Sequence, residues 1–265
     1  MKKVFYPLVT ITLLSASCRE TAFLTPLNHI SHYYRTIPLH SDSVKNATYA
    51  NALLTLGNGN RILTDDFYSF QAGANRSFNF GNFQGYFGGD MTLGNYQLNP
   101  SDFPNSTNNG LTSKFFGAYG FNAAVNYVMP FDRGEWRVIG LETSFQNEFG
   151  DYLQFRKTFP PENALIVQTA DWIKTLGVYT EFAWKVGHNK IFGYRLAAGG
   201  TFTSPKNYLG SDSTHTPGYF SNTFRLSSDY ITGFLQMNTG TYAFSMQLGM
   251  NFNISKHRKN NQQTE

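Results

Sequence analysis

Few residues in this chain are spaced for chemistry. Ser213 and His215, with Asp212 beside them, lie in one polar stretch. A serine nucleophile needs a base within hydrogen-bond reach and donors for the developing oxyanion. The trio supplies the residue types, but no nucleophile elbow or oxyanion signature surrounds it. It fits a loop-based lipid hydrolase or acyltransferase site on residue type alone, and ordinary polar loop residues fit it as well. His29 and His32 are spaced to share one helical face and hold a metal. No cysteine or carboxylate cluster accompanies them, so they read as solvated linker histidines. No phosphate loop, zinc motif or dinucleotide fingerprint occurs. No catalytic, cofactor-binding or metal-binding residue is assigned, and no cofactor is expected.

The elements that would position these groups come from periodicity. Over 241–253 the even positions are Tyr242, Phe244, Met246, Leu248, Met250 and Phe252. The odd ones include Ala243, Ser245, Gln247, Gly249 and Asn251. One face is bulky and apolar, the other small and polar. That is the period-2 signature of a strand between two different solvents. The pattern recurs at about 46–56, 67–80, 83–93, 115–129, 136–149, 172–186 and 191–203. Gly81-Asn82 suits a type II′ hairpin, with Gly taking the positive φ. Long polar connections alternate with tight turns, as in transmembrane barrels with short periplasmic turns and long outer loops.

The fold predicted is all-β: a closed antiparallel transmembrane β-barrel of eight strands behind an N-terminal signal and tether. Ten strands is the alternative, in which 217–226 and 230–238 make a further strand pair around Ser227-Ser228-Asp229. Lumen positions rich in Gly, Asn, Ser and Thr put lipid on the aromatic side. Aromatics gather near both strand ends on that side: Phe80, Phe83, Tyr127, Trp184 and Phe252 toward the turns, and Tyr68, Phe115, Trp172 and Tyr242 toward the loops. A soluble lipocalin-like barrel for an apolar ligand alternates too, with the faces exchanged.

Lumen charges are few: Asp90, Glu142, Glu148, Glu181, Lys185 and Arg195. A turn centred on His188 sets Glu181 opposite Arg195, and directly opposed residues have Cβ atoms about 5 Å apart. A buried Glu181–Arg195 ion pair is therefore expected, structural in role.

Composition agrees with this class. Charged residues make up 14% of the chain and the net charge is +4. That charge is too diffuse for a nucleic-acid partner. No apolar run approaches the ~18 residues of a membrane helix. Met1-Lys2-Lys3, the apolar run 4–14 and small residues 15–17 read as a secretory signal. The segment Leu14-Ser15-Ala16-Ser17-Cys18 resembles a bacterial lipoprotein signal, which implies lipidation at Cys18. Ser15 stands where the strictest form has Leu or Val. The domains expected are signal 1–17, periplasmic tether or plug 18–44, barrel 45–255 and polar tail 256–265.

The signal, Cys18, the lead Tyr33-Tyr34-Arg35-Thr36-Ile37-Pro38-Leu39 and the aromatic strands together resemble small outer-membrane barrel proteins of Bacteroidota-type bacteria, lipoproteins among them. The resemblance is compositional and covers most of the chain. It implies a Gram-negative outer membrane, and an even strand count then sets both termini in the periplasm. Outer-membrane lipid and envelope proteins are the expected partners. A non-enzymatic barrel, structural or an interaction subunit, is the leading reading.

Overall fold

The computed structural model describes residues 22–41, 46–59, 65–99, 112–158, 166–187, 190–203, 205–207 and 216–255. The signal, Cys18, His188, the Asp212, Ser213 and His215 trio and the tail 256–265 lie outside the described residues.

In chain order the strands are β1 (Ala22–Phe23), β2 (Asn46–Gly59), β3 (Asp65–Phe80), β4 (Phe83–Leu98), β5 (Thr112–Phe131), β6 (Gly134–Phe149), β7 (Ile166–Val167), β8 (Trp172–Gly187), β9 (Lys190–Thr201), β10 (Lys206–Asn207), β11 (Gly218–Ser227), β12 (Ile231–Gly240) and β13 (Ala243–Asn253). Ten of them close into one barrel, in the order β11-β12-β13-β2-β3-β4-β5-β6-β8-β9. Every neighbouring pair is antiparallel, and β13 against β2 joins the end of the barrel to its beginning. Closure leaves no free edge to pair with another chain.

Ten strands, not eight, is the observed count. The stretch 204–240, expected mainly as one loop, contains β11 and β12. Their contrast is blurred in sequence because Tyr219 and Phe234 are large yet face inward, both buried. The alternative pair at 217–226 and 230–238 is the arrangement found, with Tyr219 opposite Gly240 and Ser227 opposite Thr232.

The alternation separates the two surfaces as the residue types require. On β13, Phe244, Met246, Leu248, Met250 and Phe252 are exposed, while Ser245, Gln247 and Asn251 are buried. The same division runs through β3, where Tyr68 and Phe70 are exposed and Ser69 and Gln71 buried. Phe80, Phe83 and Trp184 ring the turn end of this apolar surface, and Tyr68, Phe115 and Trp172 the loop end. Arg76 is exposed on the apolar side, four residues before Phe80 at the turn.

The two barrel ends differ. β3–β4 and β5–β6 turn through Gly81-Asn82 and Asp132-Arg133, and β11–β12 through 228–230. Gly81 carries φ 55°, the left-handed value expected of it. The opposite end holds the long connections after β4, β6 and β9, and one tight turn, Thr241-Tyr242. The barrel strands run from the 10 residues of β11 to the 20 of β5, so the shortest match the roughly 9–11 residues of a transmembrane strand and the longest exceed it.

Candidate functional site

A barrel's diameter grows with strand number, so ten strands leave more interior than their own side chains fill. Residues 22–41 occupy it. Nearly the whole segment is buried, including Tyr33, Tyr34 and Arg35. A short helix, Leu27–Ile30, begins it and the remainder is irregular. This is a plug inside the barrel.

Irregular backbone away from water must find its hydrogen bonds elsewhere. Lumen side chains supply them in sequence along the plug. Gln247 donates to the Ile30 carbonyl at 3.1 Å and Gln236 to that of His32 at 2.7 Å. Ser77 donates to Thr36 O at 2.8 Å, Arg137 to Ile37 O at 2.9 Å, Gln84 to Pro38 O at 3.3 Å and Asn79 to Leu39 O at 3.3 Å. The Glu135 carboxylate accepts from the His40 amide at 2.6 Å. The strand amides and hydroxyls that looked like small filler in sequence are therefore a cradle for one stretch of main chain.

Charges balance within the same space. Arg35, Arg137, Arg195 and Arg225 are buried beside Asp90, Glu135, Glu142 and Glu181. Arg137 spends its fork fully: Glu181 at 2.8 Å, Glu135 at 2.8 Å, Gln84 at 3.0 Å and the Ile37 carbonyl. Glu181 also takes Arg225 at 2.7 Å. Arg35, from the plug, meets Asp90 at 3.1 Å, and Asn122 and Gln146 also donate to that carboxylate. Arg195 pairs with Glu142, to which Tyr219 donates at 3.1 Å. The Arg195 guanidinium also lies 3.8 Å from the centre of the Tyr179 ring. Shared contacts of this kind set each of these buried charges against an opposite one, while Arg195 Nε and Arg225 Nη2 stay without a hydrogen-bond partner among the described residues.

Glu181 and Arg195 are register partners across β8 and β9, and both are buried. Their salt bridges run elsewhere, however: Glu181 to Arg137 and Arg225, Arg195 to Glu142. The expected direct pair is corrected on that point. Two cations absent from the sequence-derived lumen set compete for Glu181. Arg225 sits on β11, in the stretch first read as loop. Arg137 is brought inside by an irregularity in β6: the register against β8 shifts between Arg137 and Gly140. Strict alternation back from Glu142 would send Arg137 outward. The extra residue of a bulge reverses that. Lys185, expected inside, is exposed at the turn end, where its Nζ donates to Ser41 at 2.9 Å.

His29 and His32 are not solvated. Both are buried, His29 edge-on to Phe67 and His32 stacked on Tyr219 at 4.8 Å between centroids. His32 lies 3.7 Å from Glu142 and hydrogen-bonds Thr175. Both histidines serve the packing of the plug.

Apolar contacts pack the loop end of the lumen among the described residues. β1 pairs parallel with β7, and β10 antiparallel with β7. Beneath this small sheet, Phe23, Leu27 and Ile30 of the plug cluster with Phe67, Tyr96, Phe116 and Ile173 of the barrel wall. The helix Asp151–Thr158 adds Tyr152, stacked on Tyr96 at 4.0 Å. Its Arg156 is buried and bridges Glu148 and the Gln168 carbonyl. Glu148 is thus engaged by Arg156 at the loop end.

No protein-family model matches the sequence, and no curated protein matches it either. Among solved structures, the β domain of the Bordetella autotransporter BrkA covers 80% of this chain and 100% of its own, at 10% identity and a TM-score of 0.43. The transport unit of the Escherichia coli autotransporter AIDA-I covers 83% of this chain and 93% of its own, at 11% identity and TM-score 0.39. The NanC porin covers 77% of this chain and 100% of its own, at 8% identity and TM-score 0.34.

Proposed function

We propose that the protein is an integral barrel of a Gram-negative outer membrane, held shut by residues 22–41, and that it acts through its loop-end surface on envelope partners. One observation carries this reading: the bulky row of every barrel strand lies on the outside while charge and main chain fill the inside. Water would not tolerate the outer surface, where residues such as Leu248 (62% exposed) and Phe80 (80% exposed) stand in a continuous belt. A soluble carrier of apolar ligands needs the reverse division, with a greasy interior.

In this reading a lumen filled, among the described residues, by a cradle-bound segment and ion pairs leaves no open path for water. The barrel is therefore non-conducting as it stands. The long connections and the Asp151–Thr158 helix form the larger, more varied end, and loops on a rigid scaffold are where binding surfaces arise. The reading is tested by membrane extraction and by planar-bilayer recording. The protein is expected to require detergent for extraction and to give no steady conductance. Recovery in the aqueous phase without detergent would defeat the membrane reading, and stable open channels from the intact chain would defeat the plugged one.

A further inference from the structure

The plug has a direction. Ala22-Phe23 pairs with β7 in the connection between β6 and β8, at the loop end. His29 packs beside Phe67 and Gly240, which also lie at that end of β3 and β12. Tyr34 and Arg35 meet Glu181 and Asp90 deeper in the barrel. Leu39 reaches Asn79, and His40 reaches Glu135, both beside the tight turns. Ser41 meets Lys185 there too. β2 then starts from the turn end at Asn46. The segment passes once through the whole lumen, entering at the loop mouth and leaving at the turn mouth.

We propose that the chain preceding Ala22 emerges through the long-loop mouth, on the outer face of the membrane. Its side relative to the loops rests on the threading alone. Its being the cell surface rests on the outer-membrane reading above. Connectivity allows little else. The turn mouth lies a full lumen away, and the passage already holds residues 22–41. Cys18 is four residues before Ala22, and an extended chain covers at most about 3.6 Å per residue, so the proposal requires Cys18 within roughly 15 Å of that mouth. An acyl chain on Cys18 would then enter the outer leaflet beside the loops. This replaces a periplasmic start for the mature chain with a surface one, while the barrel's own first and last strands still begin and end at the turn side.

Epitope insertions in the full chain test this. One goes between Glu20 and Thr21, one between Asn108 and Asn109 in a long connection, and one between Asp132 and Arg133 in a tight turn. Heat-modifiable gel migration selects the variants that fold. Antibody is expected to bind the first two on intact cells and the third only after the outer membrane is permeabilised. A silent first epitope beside a bound loop epitope would overturn the threading proposal and leave the outer-membrane reading intact. A bound turn epitope with a silent loop epitope would overturn the orientation instead. In that case the threading stands when the first epitope is silent with the loop, and falls when it is bound with the turn. Thr21→Cys with a membrane-impermeant maleimide repeats the measurement with a smaller change. A thiol at 18 or at 21 reports the same mouth, and labelling of intact cells is the supporting result.

Discussion

Glu181 accepts from two arginines on two different strands, Arg137 of β6 and Arg225 of β11. Glu181→Gln would leave both cations in the lumen with one acceptor fewer. Removing one member of a buried ionic cluster costs about 3–5 kcal/mol. The unfolding midpoint in detergent is expected to fall accordingly. A double-mutant cycle separates the partners, because residues sharing a contact couple and others add. Strong coupling of Glu181 with Arg137, and weaker coupling with Arg195, is the expected result. The reverse order would restore the direct cross-strand pair. Gly140 makes a second residue-scale case. The Tyr179 ring lies against it, and a Cβ there would overlap the ring. Gly140→Val is expected to destabilise by about 1–3 kcal/mol through overpacking, and Tyr179→Ala in the same chain should recover part of that.

At the scale of elements, the plug and the barrel wall complete each other. Gln84, Gln236, Gln247 and Ser77 donate to plug carbonyls, and Asp90 holds Arg35. Replacing 22–41 with a Gly/Ser linker of equal length would hand those groups to water. Steady single-channel conductance is expected from that variant and not from the parent. A silent variant that still shows heat-modifiable migration would mean that the wall side chains close the lumen unaided. Much of the wall was legible in the sequence. Strict alternation in 243–253 and in β3 assigns each side chain to a face, since a strand has only two, whereas Thr241 and Tyr242, read with that strand, form the turn before it. Gly81-Asn82 marks its turn because few residues accept that φ. The plug was less legible because it has no period: its contacts are to main-chain carbonyls, which every residue type carries. Arg137 was hidden by a bulge, which reverses faces without leaving a mark in composition. β11 and β12 were only an alternative, because inward Tyr219 and Phe234 weaken the contrast that identifies a strand.

For the whole molecule the decisive property is which row of each strand meets hydrocarbon. Leu248 lies midway along β13 and faces outward. Leu248→Arg is expected to cost about 2–4 kcal/mol in a bilayer, the range for a cation at the midplane of a barrel's lipid face. The same change in a soluble barrel's wet exterior would cost close to nothing. The most direct measurement is a spin-label scan of positions 244–252 in liposomes, comparing collisions with oxygen and with a water-soluble nickel chelate. Oxygen collisions are expected to peak at 244, 246, 248, 250 and 252, with both quenchers excluded at the odd positions, which face the packed lumen. Nickel accessibility at the even positions, or an oxygen profile without a two-residue period, would contradict the placement of the bulky row against lipid.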